Sequence, residues 1–485
     1  MTSVIEQRAG TGSASSKTRD GTAATRTLAH HVAGLQFDDL PPSLVTLMKK
    51  CVLDTLGVSI AASTIAPEAQ MVADYVTAFE GKPEATMLGF GGKAPAAWAA
   101  FVNGSLGHMA DYDDITGTNH VSIATIPVAF AVGEKRGGMS GRELITAVAA
   151  GTDLHTRMDL SIDLPDWTMS EGWFSTQLLG CMSGAATAAR VMQLDGDGTE
   201  NALGIGFNQM SGSRQMAVGV ATHMRSMQAG FSGQASVMAA ELAQRGIVGC
   251  KDVIEGRYGF FKNYVRTATP RWHVLTDRLG RHFPLLECHG FKVWPACAYT
   301  RVTNAAALEL REKHDLRPER IKTVRIIGGS DGIRLLSEPI ESKRRPPTSI
   351  DGKFSVPFTT AVMLAKGNVG LRDYTDEGLR DPAVLAMAER ITYEDAPAGD
   401  TSLARHPMVE VTTTDGRTLT SKPAGVPGDP AHPADWPLLE QKFRDCVGFS
   451  KLAIPQGNVE RVIERVRALE KMEDACELIR LLVPQ

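Results

Sequence analysis

The densest group of side chains suited to proton transfer lies between residues 108 and 120. It contains three aspartates and two histidines: His108, Asp111, Asp113, Asp114 and His120. Crowded carboxylates raise one another's pKa and imidazoles titrate near neutral pH, so the segment is suited to general acid–base catalysis. A solvated loop whose aspartates cap the next helix is the alternative interpretation. Metal binding is a third, but no second cluster matches it in spacing, and we expect no metal.

Three later segments carry positive charge of the kind that binds carboxylates. His223 and Arg225 precede a helix of small residues, Tyr299 and Arg301 close an aromatic segment, and Lys353 lies just before an apolar helix. Arginine binds a carboxylate through two parallel hydrogen bonds, and backbone amides at a helix start also attract anions. Taken singly, each segment also fits a structural interpretation: a surface arginine, a turn with core aromatics, or a helix cap.

The composition is that of an ordinary globular protein of 485 residues, a length that favours two domains. Its formal net charge of −4 indicates no nucleic-acid or membrane partner. The seven cysteines are scattered without CxxC pairs, so we expect reduced thiols and a cytoplasmic location. No segment approaches the ~20 apolar residues of a membrane span. Residues 1–26 are rich in small and polar residues, and we expect them to form a disordered tail.

Hydrophobic periodicity predicts helices over most of residues 27–270, with alanine and glycine runs that favour close helix packing. The β-branched segment Ile321–Ile327 predicts a strand, and Asp415-Gly416 predicts a hairpin with a type I′ turn. The apolar face from Val459 to Leu469 predicts a C-terminal helix. We therefore expect a mainly α fold, in which a discontinuous all-helical domain (residues 27–270 and 430–485) carries an inserted, smaller α+β lid domain (residues 271–429).

No nucleotide-binding, zinc-protease or serine-hydrolase motif is present, so the order of the segments is the more informative signal. Six segments carry a likeness to a known family: CVLDTLGVSIAAS (51–63), GHMADYDD…H (107–120), RSMQAGFSGQAS (225–236), YGFFK (258–262), KVWPACAYTR (292–301) and GKFSVPF (352–358). In this order, they make the chain resemble the MmgE/PrpD family. Its members include dehydratases, a decarboxylase and an epimerase of small polycarboxylic acids.

The resemblance implies a helical domain built from both chain ends, an α+β lid, a pocket between them, a homodimer, and neither metal nor organic cofactor. Asp111 and His120 match the aspartate and histidine of the family's DxDD…H block. Three positions depart from the family pattern, because Phe174 and Arg301 stand where histidines are common and Arg225 stands for a lysine. Since arginine stays protonated, these changes favour anion binding over proton transfer.

We therefore expect a cofactor-independent lyase that removes a proton next to a carboxylate of a small di- or tricarboxylic acid. Loss of water is our first expectation and loss of CO2 the second. Asp111 and His120 are the expected acid–base pair, with His223 and Tyr299 as further catalytic candidates. The expected substrate-binding residues, which would also stabilise developing charge, are Asp113, Arg225, Arg301 and Lys353. The alternatives are an isomerase or epimerase and a non-catalytic carboxylate-binding protein.

Overall fold

The computed structural model describes residues 23–117, 119–164, 167–217, 222–266, 269–329, 331–397, 399–400, 402–403 and 406–483. Helices account for 59% of the structure and strands for 8%, which confirms the predicted mainly α class. Among the described residues, no helix has both the length and the apolar character needed to cross a membrane. The tail predicted over residues 1–26 falls mostly outside the described residues, but its last residues, from Ala24 onward, are helical.

The helices of the first half are α1 (Ala24–Gly34), α2 (Pro42–Ile65), α3 (Pro67–Thr77), α4 (Ala96–Met109), α5 (Ser122–Arg136), α6 (Gly141–Leu160), α7 (Trp167–Glu171), α8 (Ser175–Val191), α9 (Gly196–Phe207) and α10 (Met224–Gln244). Those of the second half are α11 (Phe260–Tyr264), α12 (Trp272–Thr276), α13 (Leu285–Cys288), α14 (Thr300–Lys313), α15 (Asp331–Ser337), α16 (Ile340–Arg344), α17 (Ser349–Lys353), α18 (Val356–Lys366), α19 (Asp376–Leu379), α20 (Pro382–Ala388), α21 (Trp436–Val447), α22 (Gln456–Arg467) and α23 (Glu477–Leu482). The strands are β1 (Ala85–Thr86), β2 (Lys93–Ala94), β3 (Ile115–Thr116), β4 (His289–Gly290), β5 (Ile321–Gly328), β6 (Ile391–Asp395), β7 (Met408–Thr413) and β8 (Thr418–Ser421).

Helices α4 and α10 pack closely, because glycines lie where they cross. A Cβ added at Gly104 would lie 2.7 Å from Ala229 O, and one added at Gly230 would overlap Ser105 Oγ and Phe101 O. The predicted role of small residues in close helix packing is confirmed here. The crossing matters for the site, because α4 leads into the aspartate-rich loop and α10 begins next to Arg225.

Two main hydrophobic cores are present. The first combines residues 24–291 with residues 434–482, and the second is built from residues 294–426. Helix α21 packs on α2, where a Cβ added at Gly57 would lie 3.0 Å from the Phe443 ring. The first core also takes in Leu275 to Phe291, which the sequence prediction assigned to the α+β part. The domain boundaries and the lid role stay predictions.

The largest sheet has the strand order β6-β5-β7-β8, with β6 parallel to β5 and the other pairs antiparallel. Strand β5 confirms the strand predicted at residues 321–327, and β7–β8 confirms the hairpin. The predicted type I′ turn is wrong, because Gly416 has a φ of +88° but Asp415 is not among the residues with positive φ. The Gly416 amide donates to Thr413 O, and the Thr413 amide donates to Arg417 O. This longer loop needs a left-handed residue at one position only.

Candidate active site

The aspartate-rich loop begins where α4 ends and places Asp111 beside a lysine from a distant segment. Strand β3, which follows the loop, pairs with β4 in the register Thr116↔His289, and this pairing brings Lys292 to the loop. Lys292 Nζ forms an ion pair with Asp111 Oδ1 and donates a hydrogen bond of 3.0 Å to Asp111 O. Asp111 has a φ of +47°, a left-handed conformation that is uncommon outside glycine. Both contacts with Lys292 hold the loop in this conformation.

The Asp111–Lys292 pair is fully enclosed, with 3% of Asp111 and 0% of Lys292 exposed. Burial raises the pKa of Asp111, but the neighbouring charges, led by Lys292, His108 and His120, more than offset this effect and lower its pKa to about 2. Opposite charges at short range favour the ionised carboxyl. Asp111 is therefore a carboxylate at neutral pH.

Asp113 holds two imidazoles at once. Its Oδ1 lies 3.1 Å from His108 Nδ1, and its Oδ2 lies 2.6 Å from His120 Nδ1. Burial raises the pKa of Asp113, but the two imidazoles lower it well below the usual range. The expectation that crowding raises the aspartate pKa values is wrong for Asp111 and Asp113, because each has its own cationic or imidazole partner. Both oxygens of Asp113 thus hold imidazoles in place. Its expected contact with substrate stays a prediction.

A lysine of helix α21, near the C-terminal end of the chain, also stabilises this arrangement. Lys442 Nζ forms an ion pair of 2.6 Å with Asp54 of α2. The same ammonium group donates hydrogen bonds of 2.6 Å to Tyr112 O and 2.9 Å to Lys292 O. One buried lysine thus fixes the backbone on both sides of the Asp111–Lys292 pair.

Two cations from separate helices lie near the aspartate-rich loop: Lys353 at the end of α17 and Arg225 in α10. The buried Lys353 Nζ donates a hydrogen bond of 2.8 Å to Met109 O, and burial lowers its pKa to about 8. The Arg225 guanidinium lies 3.6 Å from the centre of the Phe354 ring and 5.2 Å from that of Phe174. After Lys292, His108 and His120, the charge of Arg225 also contributes to the low pKa of Asp111.

Neither cation has an ion-pair partner among the described residues, although the negative charges of Glu68 and Asp111 act on Lys353. Within the described part of the chain, no carboxylate forms an ion pair with Arg225 or Lys353, and Arg225 Nε is buried without a hydrogen-bond partner. Phe174, at the position of a common family histidine, contributes its ring to the stacking on Arg225. The site therefore contains two cations without ion-pair partners among the described residues, next to the Asp111–Lys292 pair.

Three candidates from the sequence do not join this group. Arg301 forms an ion pair of 2.6 Å with Asp429 and donates to Pro427 O, so its observed partners all lie in the segment after the hairpin. His223 is exposed at the start of α10. Tyr299 packs beside Gly332, where an added Cβ would lie 2.6 Å from Tyr299 Cζ. The described contacts thus place Arg301 and Tyr299 in the part of the chain that forms the second core and His223 at the surface. Their expected catalytic and binding roles stay predictions.

Three residues that sequence reasoning did not select belong to the group. Lys292 was available from its motif, because a lysine between apolar residues requires a buried counter-charge. Glu68 of α3 is buried, and its Oε1 accepts a hydrogen bond of 2.8 Å from Ser226 Oγ. Tyr374 has a buried hydroxyl without a hydrogen-bond partner among the described residues, and its pKa is raised well above the usual range by burial. No sequence signal points to Glu68 or Tyr374.

Two groups of side chains have ligand atoms close enough to hold a metal ion. They are His108, Asp111, Asp113 and His120, and, separately, Cys51, Asp114 and His289. In the first group the Lys292 ammonium already pairs with Asp111, and it would repel a second cation. In the second, Asp114 Oδ2 lies 2.6 Å from His289 Nε2, a hydrogen-bond distance shorter than the ~3.3 Å expected between two ligand atoms on a tetrahedral metal. Both groups fit hydrogen-bonded ion pairs better than metal sites.

Comparison with known families covers most of the chain. The model of the MmgE/PrpD N-terminal domain matches residues 26–273, and that of the MmgE/PrpD C-terminal domain matches residues 294–471. The chain belongs to the MmgE/PrpD family. The family resemblance drawn from the six segments is confirmed.

Several full-length relatives carry the same name. The chain is 25% identical to the cis-aconitate decarboxylase of Mus musculus, with 94% of this chain and 93% of the relative covered. It is 25% identical to that of Homo sapiens, with 94% of each chain covered. It is 24% identical to that of Aspergillus terreus, with 97% of each chain covered. The expected preference for dehydration over decarboxylation finds no support among these MmgE/PrpD relatives.

Proposed function

We propose that this MmgE/PrpD protein is a lyase that breaks the bond between a carbon and a carboxylate of a small polycarboxylic acid and releases CO2. The observation that carries the proposal is the pair of cations, Arg225 and Lys353, which form no ion pair with any described carboxylate, beside the ionised Asp111. Partly or fully buried cations without a directly bonded counter-charge are costly, and a bound carboxylate relieves that cost. The decarboxylase names of the relatives support the choice of reaction.

The reaction requires a sink for one electron pair and a source of one proton. When the C–C bond to the departing carboxylate breaks, its electron pair stays on the substrate and spreads into a neighbouring conjugated carboxylate. Lys353 stabilises that developing charge at close range, and the charge of Arg225 adds to this stabilisation from the other end of the substrate. A proton then bonds to the carbon that lost CO2, so charge and atoms balance.

Of Lys353 and Asp111, Lys353 is the better proton donor. With a pKa of about 8 it is mostly protonated at neutral pH and gives up its proton more readily than an ordinary lysine. Asp111, with a pKa of about 2, holds no proton to give at that pH. We therefore assign Asp111 to binding Lys292 and orienting the loop, and retain His120, fixed by Asp113, as the second proton-transfer group.

Product analysis in deuterated water tests the proposal. Incubation of the full chain with cis-aconitate and other di- and tricarboxylates, followed by NMR, should show CO2 release and one solvent deuteron in the product. Lys353→Met should abolish the reaction, whereas Lys322→Met, a change at an exposed lysine of β5, should not. Deuterium exchange without loss of CO2 or water would identify an isomerase, and loss of water alone a dehydratase. A carboxylate that raises the melting temperature but stays unchanged would identify a binding protein.

The architecture suggests how substrate is enclosed. Lys353 and Phe354 belong to the part of the chain that forms the second core, whereas the Asp111 loop and Arg225 of α10 belong to the part that forms the first. We propose that residues of the second core act as the lid predicted from the family resemblance, closing Lys353 over a substrate bound by Arg225. The predicted homodimer is likewise a proposal, which light scattering of the purified protein tests directly.

A further inference from the structure

Lys343 lies next to the candidate active site, although neither the local sequence pattern nor the family resemblance indicates a functional role for it. It is a partly buried residue of α16, and its Nζ donates a hydrogen bond of 2.9 Å to Phe354 O. In return, Ser355 Oγ donates a hydrogen bond of 2.5 Å to Lys343 O. These two contacts attach α16 to the segment that carries Lys353.

Phe354 brings Lys343 and Arg225 together. Its carbonyl accepts from Lys343, and its ring lies under the Arg225 guanidinium at 3.6 Å. Cys297 closes the group, because its Sγ lies 4.0 Å from Arg225 Nη2 and its amide donates to Lys353 O at 3.0 Å. Two cations from separate elements therefore flank one aromatic residue.

The electrostatics show that these cations affect each other. Burial lowers the pKa of Lys343, Asp351 and Cys297 act in the opposite direction, and the charge of Arg225 lowers it further. Within the part of the chain that the structure describes, no carboxylate forms an ion pair with Lys343 or Arg225. Like charges held together away from bulk water repel, and an anion placed between them converts that repulsion into attraction.

We propose that Arg225 and Lys343 form a subsite for a second carboxylate of the substrate, and that this subsite selects polycarboxylates over monocarboxylates. The inference rests on the proposed function, because it assigns the far end of the molecule whose reacting end lies at Lys353 and Asp111. The stacked Arg225 offers the fixed geometry that a carboxylate needs, and Lys343 adds a second point charge. The continuous segment Lys353–Ser355 sets the distance between the two ends.

Binding and turnover, measured separately, test the subsite. Calorimetric titration of the full chain with propane-1,2,3-tricarboxylate and with butyrate compares a poly- and a monocarboxylate without requiring catalysis. Lys343→Met and Lys343→Gln should weaken tricarboxylate binding about tenfold or more and leave butyrate binding unchanged, while Lys343→Arg should stay within about threefold of the wild type. With a substrate that is turned over, the same variants should raise KM more than they lower kcat. Lys322→Met is the matched control.

The outcomes separate this subsite from the proposed reaction. Equal affinities of wild type and both neutral variants for the tricarboxylate would overturn the subsite, even if cis-aconitate is decarboxylated. Equal weakening of both ligands would also overturn it, because a general structural role of Lys343 predicts that result. Selective loss of tricarboxylate binding without any turnover would support the subsite while the proposed reaction fails. Two neutral variants allow the comparison to be made with whichever keeps the wild-type melting temperature.

Discussion

The buried ion pair between Asp111 and Lys292 allows a quantitative test. Lys292→Met removes the ammonium group and leaves a buried carboxylate, whereas Asp111→Asn leaves a buried ammonium. The pKa of Asp111 is about 2, nearly two units below the usual value of 3.8 for an aspartate, which corresponds to about 2.5 kcal/mol. Because desolvation acts against this stabilisation, removal of one partner should cost about 3–5 kcal/mol, as for other enclosed ion pairs.

The double variant separates the interaction energy between Asp111 and Lys292 from the contribution that each residue makes alone. In Asp111→Asn/Lys292→Met no charge is left unpaired, so the loss of stability should be smaller than the sum of the single losses by at least about 2 kcal/mol. Asparagine is the suitable replacement at position 111, because it tolerates the φ of +47° observed there. Urea unfolding at pH 7, followed by far-ultraviolet circular dichroism, provides the four free energies of unfolding.

The pH dependence of the free energy of unfolding provides a second test of the ion pair. The folded pKa of Asp111 is lowered, so its stabilising contribution is fully present above pH 3.8 and is lost as pH falls towards about 2. In Lys292→Met this contribution should vanish, because burial then raises the pKa of the carboxyl. Additive single losses, or single variants within about 1 kcal/mol of the wild type, would refute the reasoning.

Three further predictions concern proton transfer, metals and packing. The kcat of the wild type should fall as pH rises through about 8, because Lys353 loses its proton, while stability rises from pH 8 towards 10.5, where only the unfolded chain still holds it. Lys353→Arg should lower kcat by about 10²-fold or more with substrate binding retained, as pH-dependent steady-state kinetics would show; an unchanged kcat would contradict the assignment. Dialysis against EDTA should leave activity unchanged, and a loss that only a metal restores would contradict the ion-pair interpretation of the two ligand groups. Gly230→Ala should lower the free energy of unfolding by about 2 kcal/mol, because its Cβ overlaps α4, whereas Gly34→Ala, with no atom near its Cβ, should not be destabilising in the same urea titrations.

Short-range patterns in the chain predicted the features that depend on neighbours in sequence. Alternation of β-branched residues predicted β5, and apolar spacing predicted α22 with its buried Val459, Val462 and Ile463. The Asp415-Gly416 pair predicted the hairpin, although the loop proved longer than a type I′ turn. The order of six segments also predicted the family. These features follow from side-chain periodicity and backbone preference, which act over a few residues.

The charge state of the site depended on contacts between distant segments. The prediction that crowding raises the aspartate pKa values failed, because Lys292, 181 residues away, pairs with Asp111. Local sequence patterns likewise did not predict that Arg301 would pair with Asp429, 128 residues away, or that Arg225 would stack on Phe354. The sequence by itself determined which residues are available for acid–base and anion chemistry. Only the tertiary structure decided their partners, because Coulomb energies depend on separation in space and on burial, and neither is encoded in local spacing.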